Sequence, residues 1–265
     1  MKSPLLRTAT TLLLLLIVSG CATFVSRPQS NQPPGHVSAA TALASWARVL
    51  DQFVNDQGEV DFLALATSRQ DLDTYVNYIA DTKLASLPTR ELRLAHFINS
   101  YNALSMFNVI HLGVPHSNAT LSAKAQFFFL QKYEIGGESM SLYAYENDII
   151  RKEGDARVHW ALNCSAVGCP VLPRTPFTSD AIDAQLLRET KAFFASTKNV
   201  AINHKKKEIC LSEIFWLFPG DFVPKHAISF TAYAQQFMAE KLPTDYAECK
   251  IPYDWTIANS RRARP

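Results

Sequence analysis

The sequence has no surplus of charge of either sign, and this limits the partners that its surface can bind. The 265 residues carry a formal net charge of +2, and Lys2 and Arg7 in the N-terminal leader account for it. Without these two residues, 24 basic residues stand against 24 acidic ones. Because binding to a phosphate backbone needs a basic surface, we do not expect nucleic acid to be a partner.

The motifs of several large enzyme classes are also absent. There is no phosphate-binding loop, no dinucleotide fingerprint and no Gly-x-Ser-x-Gly elbow, and no cofactor is predicted. Helical patterns alternate with single strands and with two predicted hairpins, one over residues 133–141 around Gly136-Gly137 and one over residues 199–211, without internal repeats or regular βαβ units. This order predicts a single α+β domain over residues 39–265, with several helices packed on a small mixed or antiparallel sheet with hairpins.

The leader lacks an apolar run long enough to span a bilayer. Its apolar run covers only Leu12–Val18, whereas a spanning helix needs about 20 residues. The run ends at Val18-Ser19-Gly20-Cys21, which resembles a bacterial lipobox. We therefore predict a lipoprotein signal peptide over residues 1–20 and a Cys21 that carries lipid such as palmitate. The alternative is an ordinary secretory signal with an incidental cysteine.

The residues after the lipobox predict the compartment. Ala22, rather than aspartate, follows Cys21, and by the sorting rule for such lipoproteins this indicates the outer membrane. We expect the protein to face the periplasm, with the membrane as a partner through lipidated Cys21. The segment Phe24–Ser38 is rich in Ser, Asn, Gln and Pro, which is typical of a flexible tether, here predicted over residues 21–38.

The four remaining cysteines would then lie in an oxidising compartment, where disulfides form. Cys210 and Cys249 are well separated in sequence from the other two, and a structural disulfide between them is the simplest prediction. Cys164 and Cys169 belong to the stretch 156–172, around which the rest of the chain is organised.

This stretch brings a histidine, an asparagine and two cysteines together. Its alternation of residue types predicts a strand over Arg157–Asn163, with His159 and Asn163 on the same face. Cys164 follows where the strand should end, and Cys169 comes five residues later. Reactive side chains are often placed where a rigid element ends in a loop, so we predict a site here.

A long predicted helix adds amides to this site. It spans about Thr89–Leu112 and carries His96, Asn99 and Asn102 in one stripe. If the stripe is buried, these groups need hydrogen-bond partners. Either the asparagines tie down a neighbouring loop or they contribute directly to a site.

A second predicted helix adds charged groups. It spans Leu142–Glu153 and ends at Gly154 as its C-cap. Glu146 lies in mid-helix among apolar residues, which fits either a satisfied buried carboxylate or a site residue. Arg151 lies near the C-terminal end, where a cation is favoured by the helix dipole.

Several separated stretches resemble one known family in their order and spacing. They are Gly58–Phe62, Phe97–Leu104, Tyr145–Arg151, Arg157–Cys164 with Cys169-Pro170, and Ile214–Trp216 with Asp221-Phe222. Together they are similar to the domain-of-unknown-function-547 family from about Gly58 to Phe222, although Trp160 stands where that family usually has phenylalanine. The resemblance implies an α+β domain with a site built from these motifs, and it implies no settled reaction.

Two interpretations of the cysteine stretch depend on sulfur chemistry. In the first, Cys164 and Cys169 close a small disulfide loop. In the second, Cys164 is a nucleophile, Cys169 is its resolving partner, and His159 is the base, oriented by Glu146 or the helix asparagines. The second interpretation predicts a cysteine–histidine hydrolase or acyl transferase, or a redox variant of it.

Two other interpretations depend on binding. His159, Cys164 and Cys169 could bind zinc, with Glu146 as a fourth ligand or a base, but their spacing matches no common zinc motif and no metal is predicted. Alternatively, the protein is a non-enzymatic lipoprotein whose pocket binds a small molecule or a peptide. The polar lining of that pocket would comprise Asn99, Asn102, Glu146, Arg151, His159 and Asn163.

Overall fold

The first half of the domain is built from helices around one long buried helix. The computed structural model describes residues 23–25, 27–28 and 37–261 of the chain. Side chains of Ser38, Asp61 and Thr89 cap three of the helices and satisfy backbone N–H groups of their first turns. The helices of this half are α1 (Ala39–Phe53), α2 (Phe62–Thr67), α3 (Gln70–Asp81) and α4 (Arg90–His111), with a 3-10 turn at Leu84–Ser86 before α4.

Helix α4 is surrounded by protein. Its bounds agree with the predicted helix to within one residue at each end, and every residue from Leu94 to Val109 is buried. A helix buried on all sides has no solvent for its polar residues, so its asparagines and serines must find partners inside the domain. In the described part of the chain, neither α4 nor any other helix combines the length and apolar character needed to cross a bilayer.

The first sheet is small and mixed. It contains β1 (Thr23–Phe24), β2 (Gln131–Ile135) and β3 (Glu138–Ser141), with β1 parallel and β3 antiparallel to β2. The predicted hairpin between β2 and β3 is confirmed. Its turn residues Gly136 and Gly137 have φ of 63° and 84°, a region that glycine enters without steric cost.

Residues that follow the predicted acylation site pack against this sheet. Val25 is buried and donates its backbone N–H to the Lys132 carbonyl at 2.7 Å. Arg27 forms an ion pair with Asp81 at 3.0 Å. Val25 and Arg27 lie within the segment predicted to be a flexible tether, residues 21–38, and both contact the domain. The polar composition of the segment predicted a tether. It could not reveal these contacts, because the partners of Val25 and Arg27 are distant in sequence.

The second sheet carries the confirmed disulfide. It contains β4 (Val200–Asn203), β5 (Glu208–Ser212) and β6 (Ala247–Ile251), and the predicted β4–β5 hairpin is present. Strand β6 runs parallel to β5 and places Cys249 in register with Cys210. The two cysteines form the predicted disulfide, which joins the C-terminal segment to the hairpin.

A second apolar cluster forms around Trp160, beside the larger cluster that surrounds α4. The Trp160 ring lies 4.4 Å from that of Phe193, 5.2 Å from Phe215 and 5.3 Å from Phe222. Bridges such as Ala166 to Ile257 tie the C-terminal segment back to the first cluster. The predicted single α+β domain is thus confirmed. The remaining α-helices are α5 (Leu121–Ala125), α6 (Leu142–Ala144), α7 (Ile182–Ala195), α8 (Ile214–Leu217) and α9 (Phe230–Gln235).

The prediction of a strand over Arg157–Asn163 is wrong. The segment is a 3-10 helix over Ala156–Trp160, capped by the Asp155 side chain, and a turn follows it. Val158 packs in the cluster around α4, whereas Trp160 packs in the other cluster. The alternation typical of a strand arises here because the segment lies between two apolar clusters and is buried on both sides.

Candidate functional site

A cavity of about 310 Å³ lies where several segments of the chain meet. Most of its lining is aromatic or aliphatic, and a few polar groups converge on it, as is usual for small-molecule sites. Three of the predicted site residues, Glu146, His159 and Cys164, are among them. The polar lining residues are Tyr101, Lys124, Tyr143, Glu146, Asn147, His159, Cys164 and Tyr253.

The loop from Cys164 to Cys169 is held closed by Asn163. The Asn163 side chain accepts the Ser165 N–H at 2.7 Å and donates to the Pro170 carbonyl at 2.8 Å, which joins the two ends of the loop. Ser165 has a φ of 63°, which is uncommon for a residue with a side chain. The hydrogen bond from Asn163 supports this backbone conformation, and the loop brings the two cysteines face to face.

The two sulfurs of the loop are in close contact. Cys164 and Cys169 are free thiols in the structure, with their Sγ atoms 2.7 Å apart. Because an S–S bond is about 2.05 Å long, the predicted disulfide between them is not formed, but on oxidation of the two thiols the sulfurs would need to approach by less than about 1 Å. Cys164 lines the cavity, whereas Cys169 lies behind it with only 2 % of its surface exposed.

The pKa values of the two thiols are shifted in opposite directions. Cys169 Sγ accepts the backbone N–H of Cys164 at 3.0 Å, that of Ala166 at 3.4 Å, and the Tyr253 O–H at 2.9 Å. Burial opposes ionisation of Cys169, but hydrogen bonds from the Cys164 thiol and from these groups outweigh it and lower the pKa of Cys169. The hydrogen bond that Cys164 donates to Cys169, together with burial, raises the pKa of Cys164. Of the two thiols, Cys169 is therefore the one that ionises at the lower pH.

His159 is paired with a carboxylate and not with a cysteine. Its Nε2 lies 2.7 Å from Oδ2 of Asp221, and the same oxygen accepts Nε of Arg151 at 2.6 Å. Arg151 also donates to Asn147 and lies over the Phe218 ring at 4.9 Å. Arg151 does not line the cavity, so the structure gives this predicted ligand-binding residue a different role, which is to hold Asp221 in place.

These contacts determine the protonation of the imidazole. Burial alone would raise the pKa of Asp221, but hydrogen bonds from His159 and Arg151 lower it far below its ordinary value. Burial lowers the pKa of His159, and the interaction with Asp221 offsets this only in part. A neutral imidazole that donates from Nε2 to the carboxylate keeps Nδ1 as its basic nitrogen, and this ring lines the cavity.

Glu146 lies in an irregular part of its helix. The predicted helix over Leu142–Glu153 consists of α6, a π-helical turn at Tyr145–Ile149 and a 3-10 turn that ends, as predicted, at Gly154 with a φ of 75°. Such π-helical turns are frequent at functional sites. Within this turn, Glu146 Oε2 accepts the Tyr101 O–H at 3.0 Å. Burial raises the pKa of Glu146 to about 7, so it exchanges a proton readily near neutral pH.

Several predicted combinations of residues do not come together. His159 and Cys164 line one cavity, but no hydrogen bond between them is present in the described part of the chain. His159, Cys164 and Cys169 do not converge as metal ligands, because Nε2 of His159 is bonded to Asp221 and Cys169 lies behind Cys164. Elsewhere, the described residues bring Glu208 close to Cys210 and Cys249, whose sulfurs are bonded to each other.

The asparagines of α4 support the site from behind. Asn99 bonds both backbone groups of Phe177, at 2.7 and 3.0 Å. Asn102 donates to the Ala161 carbonyl at 3.0 Å and accepts the N–H of Asn163 at 2.7 Å. None of these asparagines lines the cavity. The structure therefore supports loop attachment, and not the predicted ligand binding, for Asn99, Asn102 and Asn163, since their amides are occupied by backbone groups.

The residues of the site that were not identified from the sequence include Tyr101, Asp221 and Tyr253. Asp221 and Tyr101 lie within stretches that resemble the family, and that resemblance was the available signal for them. Tyr253 belongs to no motif and is 89 residues from Cys164. It reaches the loop because the C-terminal segment pairs with it, the Gly168 N–H donating to the Asp254 carbonyl at 2.8 Å.

Comparison with known proteins bears on the family resemblance, but not on a reaction. No curated protein and no solved structure matches the chain. Residues 84–194 match the model of the family described as "Protein of unknown function, DUF547". The matched range is narrower than the predicted one and includes Glu146, His159, Cys164 and Cys169. The match supports this domain family for the part of the chain that contains the cysteine loop and most of the cavity's polar groups.

Proposed function

We propose that the chain is a membrane-anchored periplasmic lipoprotein whose cavity catalyses thiol–disulfide exchange through Cys164 and Cys169. The main support is the close pair of sulfurs, one lining the cavity and the other, 2.7 Å away, accepting two backbone N–H groups and the Tyr253 O–H. Exchange is faster when the leaving thiol has a low pKa. Cys169 therefore has the properties of a leaving group, and Cys164 is the sulfur that a substrate can reach.

The exchange begins from the oxidised form, in which a bond joins Cys164 and Cys169. A thiolate of a substrate dithiol attacks Cys164 Sγ, and the broken S–S bond leaves its electron pair on Cys169. The second substrate thiolate then attacks the substrate sulfur of this mixed disulfide and releases Cys164 with the other electron pair. Two electrons pass from the dithiol to the cysteine pair, and a low-molecular-weight disulfide reoxidises the pair by the reverse steps.

The cavity also contains acceptors for the protons of the substrate dithiol. Cys164 takes up one proton, because its pKa is raised and the released sulfur is a thiol at neutral pH. Nδ1 of His159 and the carboxylate of Glu146 are the groups that can take the other before it passes to solvent. Asp221 keeps the imidazole in the tautomer that makes Nδ1 the acceptor.

The membrane anchor is supported by the leader, with its positive residues, its short apolar run and the lipobox that ends at Cys21. We expect Cys21→Ser to move the protein from the membrane fraction to the soluble fraction. Fractionation followed by detection of the protein measures this. An unchanged membrane-bound fraction would contradict lipid anchoring.

The exchange reaction is tested with the purified, oxidised full-length protein and a fluorescent peptide that contains two cysteines. We expect the wild type to convert the peptide dithiol to its disulfide and Cys164→Ser to lose this activity. Cys169→Ser, treated with an aromatic disulfide reagent, should accumulate a mixed disulfide at Cys164. The double variant Cys210→Ser/Cys249→Ser is the matched control and should remain active. Full activity in Cys164→Ser would exclude the mechanism.

A cysteine–histidine hydrolase or acyl transferase is the second candidate, because the His159–Asp221 pair shares the cavity with Cys164. Cys164 would attack an acyl carbon and transfer its proton to Nδ1 of His159. An acylating activity probe distinguishes the two reactions. Labelling of Cys164 that persists in Cys169→Ser but is lost in His159→Ala would favour acyl transfer. A non-enzymatic binding protein with a fixed Cys164–Cys169 disulfide would show neither exchange nor labelling.

A further inference from the structure

Three strand ends meet at one edge of the first sheet. Strand β1 begins at Thr23, which pairs with Gln131, the first residue of the parallel strand β2. Strand β3 runs in the opposite direction and ends at Ser141, which pairs with Lys132. The beginning of β1, the beginning of β2 and the end of β3 therefore lie together.

The mouth of the cavity lies at the same edge. Phe129 is two residues before Gln131, and Tyr143 is two residues after Ser141. Their rings are 4.4 Å apart, both line the cavity, and their exposed fractions are 48 % and 46 %. Leu217, which is 46 % exposed, also lines the cavity. We call Phe129, Tyr143 and Leu217 the cavity rim. Grouped exposed apolar side chains of this kind mark contact surfaces.

The predicted acylation site is close to this edge along the chain. Cys21 is two residues before Thr23, a distance of at most about 7 Å for extended chain. Strand β1 is held to the domain by the buried side chain of Val25 and by the ion pair of Arg27, as described above. A lipid on Cys21 would therefore hold this edge against the membrane, without a long tether between them.

The lining of the cavity contains residue types that favour the surface of a membrane. Lys124 Nζ lies 4.1 Å from the centre of the Trp255 ring, and both residues line the cavity. Tryptophan and tyrosine are enriched where lipid meets water, and lysine is attracted to anionic headgroups. Together with the cavity rim, Lys124 and Trp255 therefore place apolar, aromatic and cationic groups around one opening.

We propose that the cavity rim rests on the phospholipid surface and that the cavity opens toward the bilayer. This inference rests on the proposed function, the orientation on its lipid anchor and the substrate class on its thiol–disulfide exchange. The substrates are apolar thiols or disulfides that partition into the membrane and enter the cavity past the rim. Most of the cavity lining is apolar, in agreement with such substrates.

The orientation is tested in the full-length acylated protein by photocrosslinking in vesicles of phosphatidylethanolamine and phosphatidylglycerol. Benzoylphenylalanine replaces Phe129 or Tyr143 at the rim. It replaces Leu63 or Ile228 in the controls, which are 50 % and 92 % exposed and do not line the cavity. We expect severalfold more lipid adducts at the rim positions than at either control position, measured by mass spectrometry after equal illumination.

The outcomes separate the two proposals. Lipid adducts that are equal at rim and control positions, in protein that remains membrane-bound, would overturn the orientation and leave the anchor intact. Protein that is absent from the vesicles and carries no lipid on Cys21 would overturn both the anchor and the orientation. The thiol–disulfide activity is measured separately in detergent, where the orientation has no effect, so its loss would count only against the exchange reaction.

Discussion

The two cysteine pairs of the domain have the same chemistry in different surroundings. Cys210 and Cys249 face each other on β5 and β6, and their disulfide joins two strands that are already hydrogen-bonded. Cys164 and Cys169 lie in one loop as thiols, beside a cavity and under the hydroxyl of Tyr253. The first pair holds distant parts of the chain together, whereas the second joins residues that the loop already keeps adjacent.

The difference shows how surroundings determine the use of a cysteine pair. Donors that point at Cys169 Sγ stabilise a thiolate and therefore the reduced form of the loop. A pair whose reduced form is stabilised has a more oxidising potential than a structural disulfide. The Cys210–Cys249 disulfide, called the strand pair below, instead stabilises the fold because it closes a long loop of chain. Three predictions test the stability of the two pairs and the chemistry around the cysteine loop.

The largest effect on stability should follow loss of the strand pair. The two cysteines of this pair are 39 residues apart, and the loop-closure model gives a loss of about 4 kcal/mol for Cys210→Ser/Cys249→Ser. The matched variant Cys164→Ser/Cys169→Ser should lose less, because its cysteines close a much shorter loop. Urea unfolding under oxidising conditions measures both. An equal or larger loss in Cys164→Ser/Cys169→Ser would show that Cys210–Cys249 is not the main stabilising disulfide.

The second prediction concerns how Glu146, in the cavity beside the cysteine loop, makes the stability of the fold depend on pH. The pKa of Glu146 is raised from 4.5 to about 7 in the folded protein. Its contribution to stability is therefore present below pH 4.5 and is lost as the pH rises toward 7, by about 3 kcal/mol in total. In Glu146→Gln this loss should be absent.

The measurement is the difference in free energy of unfolding between wild type and Glu146→Gln at several pH values. Comparing the two proteins removes the opposing contribution of His96, whose pKa is lowered to about 4 by burial and which destabilises the fold as the pH falls. A difference that stays constant from pH 4.5 to 7 would show that Glu146 does not titrate in this range.

The smallest effect should follow removal of one donor from the sulfurs. Tyr253→Phe takes away the O–H that lies 2.9 Å from Cys169 Sγ, which should raise the pKa of Cys169. A hydrogen bond of about 1 kcal/mol corresponds to a roughly fivefold slower exchange. The control is Tyr133→Phe, since the described residues offer no hydrogen-bond partner to that buried hydroxyl. If both variants exchange at the wild-type rate, Tyr253 does not stabilise the leaving thiolate.

Turns and helix ends were predicted correctly where the residues that determine them are neighbours in the sequence. The Gly136-Gly137 turn predicts its hairpin through backbone conformation, and Thr89 marks the start of α4 as its N-cap. The strand predicted over Arg157–Asn163 failed for a long-range reason. Its alternating apolar residues face two clusters that form only when distant parts of the chain assemble.

The site was predictable where residues of one segment act together. His159, Cys164 and Glu146 were identified from their own stretches, and the cavity brings them together. The partners that determine their chemistry come from elsewhere: Asp221 is 62 residues from His159, and Tyr253 is 89 residues from Cys164. The sequence predicted that His159 pairs with Cys164, whereas in the structure His159 pairs with Asp221. Sequence spacing carries no information about contacts between such distant residues.

The most direct test of the exchange mechanism is a redox titration that follows both cysteine pairs in the full-length protein. The protein is equilibrated in glutathione buffers of graded potential, free thiols are alkylated, and each cysteine is quantified by mass spectrometry. We expect Cys164–Cys169 to change between disulfide and dithiol within the range of these buffers, while Cys210–Cys249 stays oxidised throughout. A Cys164–Cys169 disulfide that is as resistant to reduction as Cys210–Cys249 would contradict the exchange mechanism.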